Sequence, residues 1–232
     1  MRLDKFISNC GVASRSEVKK LVKNGCVTVN GVPAKKADIS VDENGDVICV
    51  NGTELNYRKY IYLMLNKPQG YISATEDKHY PVVVDLIPEE YSHFNAFPVG
   101  RLDIDTEGLL ILTNDGQFDH NMTSPKKNVY KRYFARLDKP AEEKDIEIFA
   151  AGMEFKEFTA KSAKLEICEN PKEVYIEIAE GKFHQVKRMC ERVGKTVVYL
   201  KRVAIGSLVL DENLGLGEIR ELTDEELKTA AK

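Results

Sequence analysis

No apolar run in this 232-residue sequence approaches the roughly 20 residues that cross a bilayer, so no membrane association is expected. The opening Met1-Arg2-Leu3-Asp4-Lys5 lacks the apolar core of an export signal, and a cytoplasmic location is the expectation. Cysteine is sparse. Cys10, Cys26, Cys49, Cys168 and Cys190 are odd in number, scattered, and never spaced Cys-x-x-Cys. That pattern argues against a disulfide framework and against a cysteine metal site, and it reads as reduced thiols. Internal repeats and low-complexity segments are absent as well.

What is there is ordinary for a globular protein: 43% hydrophobic and 31% charged residues, with length for one or two domains and a real core. The net charge of -3, taken alone, argues against a nucleic-acid partner. Its distribution matters more. Residues 1–36 carry eight Lys/Arg against Asp4 and Glu17, a net +6, while the remainder carries 26 bases against 35 acids, a net -9. A basic head on an acidic body suits a polyanion at the head; a solvated charged face explains the charge alone equally well.

Residues 1–59 read as a small module. Leu3, Phe6 and Ile7 fall at helical spacing. Ser14-Arg15-Ser16-Glu17 is a capping box, and the helix it opens turns Val18, Leu21 and Val22 inward and Arg15, Lys19 and Lys23 outward. Asn24-Gly25 ends that helix. Cys26–Val29 and Val32–Ala34 then read as strands joined by an Asn30-Gly31 hairpin turn, with a further strand over Asp46–Val50.

From residue 60 the pattern predicts a second, α+β domain running to 232. Ile61–Leu65 and Tyr71–Ala74 read as strands around the turn Asn66-Lys67-Pro68-Gln69-Gly70. Leu109-Leu110-Ile111-Leu112 reads as a buried strand. The polar segment before it, Gly100-Arg101-Leu102-Asp103-Ile104-Asp105-Thr106-Glu107-Gly108, is then a loop at the edge of a core, a usual place for catalytic groups. Lys131–Leu137, Ala163–Cys168, Val174–Ala179 and Val197–Val209 supply more strands, and 141–151 a helix. After Gly181 a helix begins whose expected apolar stripe is Phe183, Val186, Met189, Cys190 and Val193. Basic residues crowd 126–136 and 182–202, the latter opposed only by Glu191. Thr223-Asp224-Glu225-Glu226 is a second capping box, opening a C-terminal helix.

Several of these runs together resemble the pseudouridine synthases, in the family named for the small-subunit ribosomal RNA enzyme. The resemblance rests on Lys67-Pro68-Gln69-Gly70, on Gly100 through Leu110, on Lys131-Arg132-Tyr133, and on Gly181-Lys182-Phe183-His184-Gln185-Val186-Lys187-Arg188, in the family's order. Leu3-Asp4-Lys5-Phe6, Ala13-Ser14-Arg15-Ser16 and Val27-Thr28-Val29-Asn30-Gly31 likewise resemble an RNA-binding module first seen in a small-subunit ribosomal protein. The resemblance implies an α+β catalytic domain with a largely antiparallel sheet, no metal and no cofactor. It implies Asp103 as the catalytic carboxylate, Tyr133 stacked on the target base and Lys187 paired with the aspartate, with Arg101 beside them. His184 fits a positioning role better than a general base. Arg132 stands where a small residue such as threonine is expected.

Isomerising uridine needs a carboxylate near the sugar, as nucleophile or as base toward a sugar proton, and the sequence leaves both open. Either role needs Asp103 ionised, which a neighbouring cation, Lys187 or Arg101, favours. Asp105 is the rival carboxylate. The target must leave its stack to be reached. Candidate RNA contacts are Arg2, Lys5, Arg15, Ser16, Lys19 and Lys23 on the head, and Lys67, Lys131, Arg132, Lys182, His184, Gln185 and Arg188 on the catalytic domain. The expected substrate is 16S ribosomal RNA, in an assembling small subunit, acted on by a monomer. Large-subunit 23S RNA is the alternative, followed by a non-catalytic assembly factor. A carboxylate hydrolase of sugar bonds is a weaker rival, because a retaining glycosidase needs a second carboxylate about 5 Å away and only Asp105 is near.

Overall fold

The computed structural model describes residues 1–230. The chain forms two compact units: one from Met1–Ile61 with Pro88–Asn95, the other from Tyr62–Ile87 with Ala96 onward. Among the described residues no helix is long and apolar enough to cross a membrane.

The first unit follows its local signals closely. Helix Leu3–Asn9 buries Leu3, Phe6 and Ile7, the residues at helical spacing. Helix Arg15–Lys23 starts at the Ser14 capping box: the Ser14 N–H donates to the Glu17 carboxylate at 2.8 Å, and Ser14 Oγ accepts from the Glu17 N–H. Val18 and Val22 face the core, whereas Arg15, Lys19 and Lys23 are exposed. A four-stranded antiparallel sheet, ordered Val32–Pro33, Val27–Val29, Ile48–Val50, Thr53–Glu54, covers the helices' apolar faces. Asn30 and Gly31 both take positive φ, as a two-residue hairpin turn requires. Asn30 also braces the turn from its side chain, bonding Asp46 and the Val47 N–H at 2.8 Å each.

The second unit is built on a nine-stranded sheet. Its main path runs Lys164–Ile167, Glu173–Ile178, Lys131–Leu137, Val197–Ile205, Glu107–Thr113, Tyr62–Lys67, Ile219–Glu221. All neighbours on that path are antiparallel except Val197–Ile205 beside Glu107–Thr113, so the sheet is mixed and largely antiparallel, as expected. Leu109 through Leu112 are fully buried, which is why this strand is a continuous apolar run rather than an alternating one. Gly108 opens the strand for a steric reason. Its φ is +104°, and a Cβ there would lie 2.2 Å from the Arg202 carbonyl oxygen.

One expectation fails here. Tyr71–Ala74 is not a strand; Ile72 makes a single parallel bridge to Val82, and the segment is a loop tied to its neighbours by side chains. The apolar stretch after Pro81 forms a short 3₁₀ turn, Val83–Leu86. The edge strand Ile219–Glu221 is too short to be seen in the sequence pattern. It precedes the C-terminal helix Asp224–Thr229, which the Thr223–Glu226 capping box starts as expected.

Candidate active site

The loop from Gly100 to Thr106 is held from beneath. Lys67, at the end of its strand, is fully buried. Its ammonium donates to three carbonyls: Pro68 at 3.0 Å, Asp103 at 3.1 Å and Thr106 at 2.9 Å. Burial pushes its pKa down to about 8, although Asp105, Asp103 and Glu107 pull it the other way. Ser73 pins the loop from a second side: its hydroxyl donates to the Leu102 carbonyl and accepts from the Leu102 N–H, both at 3.0 Å. A third tie is the Gly70 N–H on the Ile104 carbonyl at 2.8 Å. With the Leu102, Asp103, Ile104 and Thr106 carbonyls engaged by these ties, the Asp103 carboxylate is left to face a cleft.

That cleft is lined by Asp103, Arg101, Tyr133, Lys182, His184 and Lys187 among others. Three separate elements bring these groups together. Strand Lys131–Leu137 alternates its faces, so that Lys131, Tyr133, Ala135 and Leu137 are buried on one side and Arg132, Phe134 and Arg136 lie on the other. Tyr133 is therefore almost wholly buried, with its remaining surface in the cleft. Helix Gln185–Arg192 buries Val186, Met189 and Cys190 and carries Lys187 toward the loop. The Lys187 ammonium sits 3.1 Å from Asp103 Oδ2 and 2.6 Å from Asp105 Oδ1. Burial lowers its pKa, but the two carboxylate bonds outweigh that and hold it above the ordinary lysine value. Burial likewise raises Asp105, and the Lys187 bond and charge outweigh it, keeping that carboxyl below the usual range. His184 Nε2 lies 3.6 Å from Asp103 Oδ1.

Two carboxylates thus share one cation, and geometry separates them. The Asp103 side chain is 28% exposed and the Asp105 side chain 62%. Only Asp103 lines the cleft that contains Tyr133. A second cleft is also lined by Tyr133, and takes in Arg101 and Lys182 as well. Arg101 and Lys182 are exposed, and neither forms an ion pair among the described residues. Of the two cations expected beside Asp103, the one in contact is Lys187 rather than Arg101.

Several expected RNA contacts are placed differently. Lys67 has no surface to offer a phosphate; its charge is spent inside the loop. Lys131 is buried, donates to the Val129 carbonyl at 2.7 Å, and is pushed down to about 8 by burial and by Arg202. Gln185 is buried and braces its own loop, accepting from the Lys182 N–H at 3.0 Å and donating to Glu180 at 3.2 Å. Arg132 points away from the Tyr133 face, paired with Glu177 and Glu166 and lying over the Tyr175 ring. Those cross-strand pairs explain an arginine where a small residue is expected. Arg188 is held by Glu157 and by the Phe155 and Phe158 rings. On the first unit Arg2 binds the buried Asp4 through two nitrogens, at 3.0 and 2.7 Å, while Lys5 and Ser16 remain exposed with Arg15, Lys19 and Lys23. Phe183 does not join the helix's apolar stripe. His184 takes a left-handed φ of 51°, which turns the chain before the helix starts and leaves Phe183 outside. Ser73 and Glu180 were not legible as site residues, since a lone serine in a polar loop and a lone acid before a glycine carry no signal.

The RNA pseudouridylate synthase family model matches residues 61–192, and the S4 domain model matches residues 1–48. The chain belongs to the RNA pseudouridine synthases. It is 48% identical to the RNA pseudouridine synthase YtzG of Bacillus subtilis, over 98% of this chain and 97% of the relative. It is 39% identical to ribosomal small subunit pseudouridine synthase A of Escherichia coli, with 98% of each covered. Among solved structures, a pseudouridylate synthase crystal structure aligns over 99% of both chains with a TM-score of 0.70 and 38% identity. The cleft that Asp103 lines also takes in the Tyr133 ring and the Lys187 side chain.

Proposed function

We propose that this synthase isomerises a uridine of small-subunit, 16S, ribosomal RNA, and that Asp103 is its catalytic carboxylate. The observation that carries the reading is the single cleft in which the Asp103 carboxylate, steadied by Lys187, faces Tyr133. In the reaction the bond from N1 to ribose C1′ breaks, a bond from C5 to C1′ forms, and the C5 proton is released while N1 takes one up. Asp103 acts at the sugar, as nucleophile or as base toward a sugar proton. Lys187, 3.1 Å from Asp103 Oδ2, fixes the direction of the carboxylate. The uracil, extruded from its stack, lies against Tyr133, a contact worth about 1–3 kcal/mol. Residues 1–59 grip a neighbouring RNA helix through Lys5, Arg15, Lys19 and Lys23, and residues 60–232 do the chemistry. Full-length likeness to small-subunit synthases of this family supports the 16S assignment.

The test is tritium release from 5-tritiated uridine in 16S transcripts and in assembling small-subunit particles, comparing wild type with Asp103→Asn. Release by the wild type alone supports the reading, and mapping the product names the uridine. Release from 23S transcripts instead would move the substrate to the large subunit. Full activity in Asp103→Asn would remove the aspartate from the mechanism.

A further inference from the structure

We propose that Phe183 is the wedge that occupies the RNA base stack when the target uridine leaves it, a positioning role that rests on the function proposed above. Phe183 is 73% exposed, more than any other large apolar side chain described. Single exposed apolar residues are common on protein surfaces, but this one lines a cleft that Asp103 also lines. Its ring is stacked on the His184 ring, with centroids 3.8 Å apart and planes 17° apart. His184 in turn comes within 3.6 Å of Asp103. The His184 ring therefore touches both Phe183 and the carboxylate.

The surroundings fit an RNA strand held open. Phe183 lines a cleft with Ile72, Ile104, Asp103, His184 and Lys182, and Ile104 is itself 36% exposed. Asp103 lines both this cleft and the one containing Tyr133. A nucleotide whose C1′ sits at Asp103 can thus send its base toward Tyr133 while the gap it leaves faces Phe183. Apolar side chains that enter base steps do so as rigid inserts. Phe183 is mounted accordingly: the Lys182 N–H is bound by Gln185 Oε1 at 3.0 Å, the Lys182 carbonyl accepts from the Gln185 N–H at 3.1 Å, and His184 is fixed in its left-handed turn. Exposed Lys182 and Arg101 stand beside it for the flanking phosphates.

The test uses the full-length protein and two 16S transcripts tritiated at uridine C5. One is native; the other carries abasic residues on both sides of the uridine that the wild type modifies, so that no stack has to be opened or refilled. Phe183→Ala is expected to lower kcat/KM on the native transcript about 10- to 100-fold, the range of base–aromatic stacking. Its loss on the abasic transcript should be under about threefold, and Phe183→Trp should restore most of the native rate. Equal losses on both transcripts would assign Phe183 to the fold or the chemistry and overturn the wedge. Wild-type rates on both would overturn it too, with the proposed function intact. A wild type that releases no tritium from 16S RNA would instead refute that function, and the wedge with it.

Discussion

Lys67→Met is the sharpest perturbation of the site, because it removes a support without touching the cleft. The ammonium holds three carbonyls, and an orphaned buried acceptor costs about 1–3 kcal/mol. Only the Thr106 bond is wholly buried; water can replace the lysine at Pro68 and Asp103. Against that, burial moves the lysine from 10.5 to about 8, so relieving it returns about 3 kcal/mol at 1.36 kcal/mol per unit. The two nearly cancel. The variant is expected to melt within about 5 °C of the wild type, given about 2–4 °C per kcal/mol at this size. Activity does not share that balance. The loop that carries Asp103 loses its central tie, and a displacement of about 1 Å at a reacting group costs about 100-fold. Tritium release should therefore fall about 100-fold in kcat while the fold survives. A pH signature accompanies it. The folded value lies below the unfolded one, so the unfolded state binds more protons between about pH 8 and 10.5, and Lys67 makes stability rise with pH across that window. Over the same window the neutral amine keeps two donors for three carbonyls, so activity should fall while stability rises. Lys67→Met should lack Lys67's share of both trends. A variant with wild-type kcat and the wild-type pH profile would refute the account of the loop.

Three further tests address other parts of the structure. Lys187→Met leaves Asp103 and Asp105 facing each other without a cation; single-turnover tritium release should drop about 10²–10³-fold, with partial recovery in Lys187→Arg, and an undiminished rate would exclude Lys187 from the site. Gly108→Ala forces a Cβ to 2.2 Å from the Arg202 carbonyl at a φ that L-residues avoid; it should destabilise by about 3 kcal/mol or more, read as a fall of at least about 6 °C in Tm, and an unchanged melt would disprove the strand packing. For Asp105 the folded carboxyl lies below its ordinary 3.8, so its pairing with Lys187 stabilises above that value and is lost as pH falls through the depressed one. Urea melts of wild type and Asp105→Asn should accordingly differ at pH 7 and converge as pH falls through the depressed value, and a gap that persists in acid would show that the pairing is not its source.

The sequence made visible what is carried by local rules or by a family motif. Capping boxes at Ser14 and Thr223, the Asn30-Gly31 turn and the apolar run Leu109–Leu112 each have one short-range cause, and each is where the residues placed it. Asp103, Tyr133 and Lys187 span 85 residues and three elements; only the motif likeness linked them, and the structure brings them to one cleft. What stayed hidden depends on partners that no spacing announces. A lysine is ordinarily a surface residue, and nothing local tells that Lys67 and Lys131 end inside, on carbonyls supplied by the turns of the fold. Gln185 looked like an RNA contact because it sits in a basic run, yet its amide closes a loop around Glu180.

The Phe183 error has the most physical content. Counting helical spacing back from Val186 extends the apolar stripe to Phe183, and that count assumes the helix continues. One residue breaks the assumption, since His184 takes a left-handed φ in which no helix can propagate. A bulky residue in that conformation carries strain of about 1–3 kcal/mol, which persists only where the surroundings enforce it. Here they do so through the Lys182–Gln185 loop bonds and the stacked Phe183 ring. The strain sets the His184 imidazole beside Asp103 and leaves the phenyl ring at the mouth of the cleft. Periodicity fails at this point because the left-handed turn at His184 ends the helix on which the count relies.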